Sequence, residues 1–175
     1  MIKMIITDLD GTLLNDKGAV SPYTLSVFER CKKEGIKIVI ATFRGTLEAE
    51  GIIDILKADF SILNNGAIIF DSNKKTFHNE LLSFDVQTDK NDKLEGNVTF
   101  DKKNAIEILS KSQNISLSEI VAFGDGLNDL GMIQNCGIGI ATENAIPEVK
   151  EIAKGICGNN NEDGVAKWIK EYILA

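Results

Sequence analysis

The chain has 175 residues, enough for one domain with a real hydrophobic core and short for two. It is 43% hydrophobic and 26% charged with only two prolines, which excludes a disordered, collagen-like or disulfide-scaffold protein. A formal net charge of -7 disfavours nucleic acid or an anionic membrane as a partner. Cys31, Cys136 and Cys157 show no CxxC or Cys/His spacing and read as reduced, buried thiols. No apolar run approaches the ~20 residues of a membrane span, and the opening "MIKMIITDLD" runs straight into charge, so the expected location is the cytoplasm, with no membrane partner.

In chain order, a buried strand is expected at Ile2 to Thr7. A helix follows from about Pro22 to Glu34, with Ser21 as N-cap, proline at the first helical position and Gly35 as its stop. "IKIVIAT", Ile36 to Thr42, is almost wholly apolar and β-branched, as a parallel strand covered on both faces should be. A helix over Leu47 to Leu56 and a strand over Phe60 to Leu63 continue the alternation. Asn64 to Phe100 is polar and turn-rich with only short strand-like pieces. Helical period returns at Asn104 to Ser112, then come strand Ile120 to Phe123, a helix near Asn128 to Gln134, and strand Gly137 to Ala141. Helices Pro147 to Lys154 and Gly164 to Leu174 close the chain. The pattern predicts an α/β fold, a Rossmann-like parallel sheet flanked by helices. Residues 1-72 and 101-175 form its core, and 73-100 form a small β-rich insertion.

Ligands of such sheets bind at the carboxyl ends of the strands, so polar residues just after each apolar run are the ones that matter. These are Asp8 and Asp10, Thr42, Lys102 or Lys103, and "GDGLND", Gly124 to Asp129. Asp8, Asp10, Asp125 and Asp129 would converge on one crevice, where so many carboxylates need a compensating cation. Oxygen ligands with room for water and a phosphate oxygen suit Mg²⁺. Gly11 and Thr12 supply a turn whose N-H groups can face an anion. A carboxylate beside that anion can be a nucleophile, and its neighbour two residues on can protonate a leaving oxygen. A calcium helix-loop-helix reading fails, because Leu13 and Ala19 stand where Gly and Glu are required. His78, the sole histidine, has no partner in sequence and receives no role.

Taken in order, "DLDGTLL", "IVIATFR", "KKNAI" and "GDGLNDLGMI" resemble the four motifs of the haloacid dehalogenase superfamily, within it the Cof-type phosphatases. The tail "GIGIATENAIPEVKEIAKGICGNNNEDGVAKWI" is similar to that family as well. The resemblance implies a Mg²⁺-dependent phosphomonoester hydrolase acting on a small phosphorylated metabolite. Asp8 would be the nucleophile that becomes an aspartyl-phosphate, and Asp10 the general acid and then base. Thr42 and Lys102 would hold the phosphoryl group, Lys102 being preferred to Lys103 because Ala105 follows it by three. The metal would lie on Asp8, the carbonyl of Asp10, and Asp125, supported by Asp129. Gly11, Phe43 and Asn128 would complete the phosphate and substrate surface.

Two departures from the family pattern stand out. Phe43 replaces the usual glycine of "ATGR", and only about 30 residues stand where Cof-type relatives carry a cap of ~100 or more, too few to bury a core of their own. A cap remnant of that size predicts an open crevice, and apolar Leu81 to Phe84 predict self-association. The alternatives are a phosphomutase, which a poor lid disfavours because it must keep water from the intermediate, and a non-catalytic module of the same fold.

Overall fold

The computed structural model describes residues 1-79 and 100-175. In chain order the elements are β1 (Met4–Thr7), α1 (Pro22–Lys33), β2 (Lys37–Ala41), α2 (Thr46–Leu56), β3 (Phe60–Leu63), β4 (Ile68–Asp71), β5 (Thr76–Asn79), α3 (Lys102–Gln113), β6 (Ile120–Gly124), α4 (Leu130–Asn135), β7 (Ile138–Thr142), α5 (Pro147–Ile152), β8 (Gly155–Cys157) and α6 (Gly164–Tyr172). The strands form one sheet in the order β5-β4-β3-β2-β1-β6-β7-β8, parallel throughout except for the antiparallel β3-β4-β5 end.

β1 is the reason the sheet has a centre. All four of its residues are fully buried, so both pleat faces must be covered, and the period of two sends alternate side chains to opposite cores. Ile5 joins Val27, Phe28, Ala49, Ile53 and Ile169 beneath α1, α2 and α6. Met4 and Ile6 join Ile106, Leu109, Met132 and Val149 beneath α3, α4 and α5. Each fully buried isoleucine contributes roughly 2 kcal/mol to this arrangement.

Local signals place the helices. The Ser21 hydroxyl accepts the Thr24 N-H at 3.0 Å, Pro22 opens α1, and Arg30, Lys32 and Lys33 sit in its last turn against the negative end of the helix dipole. Gly35 turns the chain at φ +77°, a conformation that glycine adopts without strain. The three cysteines are buried free thiols, and burial pushes Cys31 up to about 11 and Cys136 and Cys157 up to about 12, which keeps them unreactive.

Two details differ from the sequence reading. The core sheet runs on through β5 to Asn79, so residues 76-79 of the range assigned to the insertion belong to the core by their pairing with β4. α5 stops at Ile152 rather than Lys154, because the chain turns there into β8, a three-residue edge strand that the periodicity gave no hint of. Leu81 to Phe84, expected to drive self-association, lie outside the described residues. No described helix is long and apolar enough to cross a membrane.

Candidate active site

Register brings the chemistry together. Thr7 of β1 pairs with Ile40 of β2 on one side and Phe123 of β6 on the other, so the three parallel strands end at one level. The residues that follow them are therefore neighbours at one edge of the sheet: Asp8, Thr42 and Asp125. The Asp8 N-H donates to the Phe123 carbonyl at 3.0 Å, which carries the ladder one residue beyond the strand and fixes where Asp8 begins.

Asp8, Asp125 and Asp129 each offer a carboxylate oxygen within 4.8 Å of the others. Lys102, the first residue of α3, reaches into this cluster with its side chain fully buried. Its Nζ donates to Asp8 Oδ1 and to Asp129 Oδ1, both at 2.7 Å. Lys103 instead lies half-exposed, 4.0 Å from Glu107 on its own helix. The start of α3 is set by Asp101, whose side chain accepts the Lys103 N-H at 2.9 Å, and by Asn65, whose Nδ2 donates to the Phe100 carbonyl at 2.7 Å.

The three carboxylates have different duties. Asp129 is fully engaged: Oδ1 accepts from Lys102, and Oδ2 accepts the N-H groups of Asp125 and Gly126 at 2.9 and 3.0 Å. It is a buried organiser of the loop. Asp125 Oδ1 accepts the Thr12 hydroxyl at 2.6 Å, while its Oδ2, like Oδ2 of Asp8, accepts no hydrogen bond among the described residues. Those two oxygens are available to a cation.

The charge balance calls for one. Burial pushes the Asp8 carboxyl up from its ordinary 3.8 to about 7; Lys102 works against the rise, and Asp129 and Asp125 add to it. Asp125 is also raised, first by burial and then by Asp129, with the Thr12 hydrogen bond opposing. Lys102 is raised despite burial, because Asp8 and Asp129 outweigh the desolvation. Three carboxylates against one ammonium leave an excess of negative charge in a site of hard oxygen donors, a donor set that fits Mg²⁺.

Asp10 behaves differently from its neighbours. Its carboxylate is outside the cluster, more than half exposed, and held by Arg44 in a two-pronged pair: Nε to Oδ2 at 2.8 Å and Nη2 to Oδ1 at 2.5 Å. Arg44 was not among the expected site residues, although it closes the "ATFR" stretch at the end of β2. An arginine three residues past the end of β2, facing an aspartate three residues past the end of the neighbouring β1, is the signal that could have found it.

The remaining expected residues frame the crevice. Gly11 sits at φ +75°, and a Cβ there would fall 2.4 Å from Asp125 Oδ2, so only glycine allows the loops that follow β1 and β6 to approach. Thr42 is buried and its hydroxyl accepts the Arg44 N-H at 3.1 Å. Phe43 projects at 73% exposure and Asn128 is half-buried in the short turn Leu127–Asp129. His78 lies on the edge strand β5.

Comparison with known proteins bears on the family and the fold. The family model described as haloacid dehalogenase-like hydrolase matches residues 5–97 and 96–169. The 5-amino-6-(5-phospho-D-ribitylamino)uracil phosphatase YcsE of Bacillus subtilis (strain 168) is 27% identical over 240 residues, covering 99% of this chain and 96% of the relative. A span of 240 positions against 175 residues leaves at least 65 with no counterpart here. Phosphatase YwpJ of the same organism is 40% identical over 72 residues, 41% of this chain and 25% of the relative. Among solved structures, a haloacid dehalogenase-like hydrolase from Bacteroides thetaiotaomicron superposes with a TM-score of 0.84 at 22% identity, covering 98% of this chain and 99% of that one. One from B. subtilis gives 0.83, also at 22% identity, with 99% and 100% covered. With the family's model matched across most of its length, this chain belongs to the haloacid dehalogenase-like hydrolases.

Proposed function

We propose that the protein is a Mg²⁺-dependent phosphomonoester hydrolase that works through a phosphoryl group carried on Asp8, with a small phosphorylated metabolite as substrate. The observation that carries the reading is the buried Lys102 bridging Asp8 and Asp129 while Oδ2 of Asp8 and of Asp125 stay unengaged among the described residues. Such a site neutralises and positions a phosphoryl group, which is most of what phosphoryl transfer requires. The metal, held by Asp8, Asp125 and the main chain of Asp10, would supply positive charge to the phosphoryl oxygens and allow Asp8 to stay ionised.

The chain's own groups divide the work. Asp8 attacks phosphorus through a carboxylate oxygen, and the bond to the leaving oxygen breaks as Asp10 gives that oxygen a proton. Water then attacks the phosphoryl group, Asp10 takes its proton back, and phosphate leaves with Asp8 restored. Lys102 holds Asp8 in line throughout, and Thr42 and Lys102 face the transferred group. Before its first proton transfer Asp10 must exchange Arg44 for the leaving oxygen. The shortened insertion supports an open crevice, since the segment that would be a cap in longer relatives has few residues here.

Turnover of p-nitrophenyl phosphate with and without Mg²⁺, in the parent chain and in Asp8→Asn, tests the reading. Mg²⁺-dependent turnover lost in the variant is expected. No turnover in the parent chain would favour a non-catalytic binding module.

A further inference from the structure

The turn after β7 holds none of the groups used above, yet it touches both loops that do. Asn144 Nδ2 donates to the Gly11 carbonyl at 2.6 Å, and the Ile146 N-H donates to the Asp125 carbonyl at 3.0 Å. Behind it, Asn144 Oδ1 accepts the N-H of Asn160 at 3.1 Å. Asn160 is itself buried, and its Nδ2 donates to the Leu14 carbonyl at 2.9 Å. A strut thus runs from the C-terminal segment onto the loop that follows Asp8, with Asn144 making the short bond to the Gly11 carbonyl and the Thr142 hydroxyl a long one at 3.5 Å.

We propose that Asn144 is a positioning residue: by fixing the Gly11–Thr12 peptide it keeps the Thr12 hydroxyl on Asp125 and so aims the unengaged oxygen of Asp125 at the cation. The physical need comes from Gly11. With no side chain and φ +75°, it is the freest link in the loop. The planar peptide, however, makes its carbonyl a handle on everything that follows. Pinning that carbonyl orients Thr12, whose hydroxyl lies 2.6 Å from Asp125 Oδ1. Partners that orient a metal-binding side chain typically carry 10- to 100-fold in metal affinity. The inference rests on the reading that Asp8 and Asp125 hold Mg²⁺.

Calorimetric titration with Mg²⁺ tests it in the parent chain, Asn144→Asp, Thr12→Val and the double variant. Asn144→Asp keeps the size and the acceptor for Asn160, removes the donor and adds a negative charge. Added charge alone would tighten cation binding, whereas the strut expects binding about tenfold weaker. Because both variants act through one contact, the double variant should be no weaker than the weaker single within about twofold. Equal or tighter binding in Asn144→Asp, or losses that multiply in the double variant, overturn the inference. Should Asn144→Asp not fold, Thr12→Val tests the same contact from its other end, and an unchanged affinity there overturns it too.

Hydrogen exchange without metal separates this from the cation reading. Asn144→Asp should speed exchange over residues 9-14 and 125-129, while Asn161→Ala, which loses its contacts to the Asp16 N-H and to Asn160 Oδ1 but leaves the bond from Asn144 to the Gly11 carbonyl in place, should not. Unchanged exchange in Asn144→Asp overturns the strut. A parent chain that binds no Mg²⁺ but shows the exchange difference overturns the cation reading and leaves the strut standing.

Discussion

Lys102 Nζ donates to Asp8 Oδ1 at 2.7 Å, joining two residues 94 positions apart in a place where neither reaches solvent freely. The same ammonium holds Asp129, so one cation stabilises two buried carboxylates. Lys102→Met should therefore destabilise the metal-free chain by about 3–5 kcal/mol, the usual result of stripping one partner from a buried pair. Part of that should return on adding Mg²⁺, which replaces the missing charge. Urea denaturation with and without Mg²⁺ measures both effects.

Asp8 sets a pH dependence of definite sign. Its carboxyl is raised from 3.8 to about 7, by burial first and by Asp129 and Asp125 next, against the pull of Lys102. Between about pH 4 and 7 the folded chain thus binds more protons than the unfolded one, and stability contributed by the protonated group is lost as pH rises through that window. Thermal unfolding of the metal-free protein should show this fall. Mg²⁺ affinity should climb over the same range, because the cation displaces the Asp8 proton.

Gly11→Ala should be among the most damaging single-methyl changes in the chain. The new Cβ would meet Asp125 Oδ2 at 2.4 Å from a backbone at φ +75°. The left-handed conformation alone costs roughly 1 kcal/mol for alanine. Relief requires Asp125 to move, so Mg²⁺ binding should weaken along with stability. Ala at Gly18, also left-handed but with no atom within 4 Å, should show only the backbone cost. Thermal melts and Mg²⁺ titration of the pair separate the two contributions.

Much of this was legible in the sequence because its signals are dense. β1, β2 and β6 are parallel strands buried along their length save for Lys37 at the start of β2, so their apolar runs announce them, and the polar residues at their ends announce the crevice. The β4–β5 hairpin and β8 were harder: each strand is three or four residues long and partly exposed at or next to a sheet edge, which leaves no alternation to read. Arg44 and Asn144 were hidden for another reason. Their partners, Asp10 and the Gly11 carbonyl, lie 34 and 133 positions away, and one of those contacts is to main chain, which carries no sequence mark at all. Side-chain identity named four carboxylates for the site, while only the fold revealed that the Asp10 carboxylate turns away to Arg44, that Asp129 is tied on both oxygens and that Asp125 is tied on one.

The central claim is that Asp8 carries the phosphoryl group. Acid quenching during turnover of a ³²P-labelled phosphomonoester with Mg²⁺ tests it most directly. The account predicts label on the peptide containing Asp8, released by hydroxylamine and absent from Asp8→Asn. Turnover that leaves no label on the chain and survives in Asp8→Asn would contradict it.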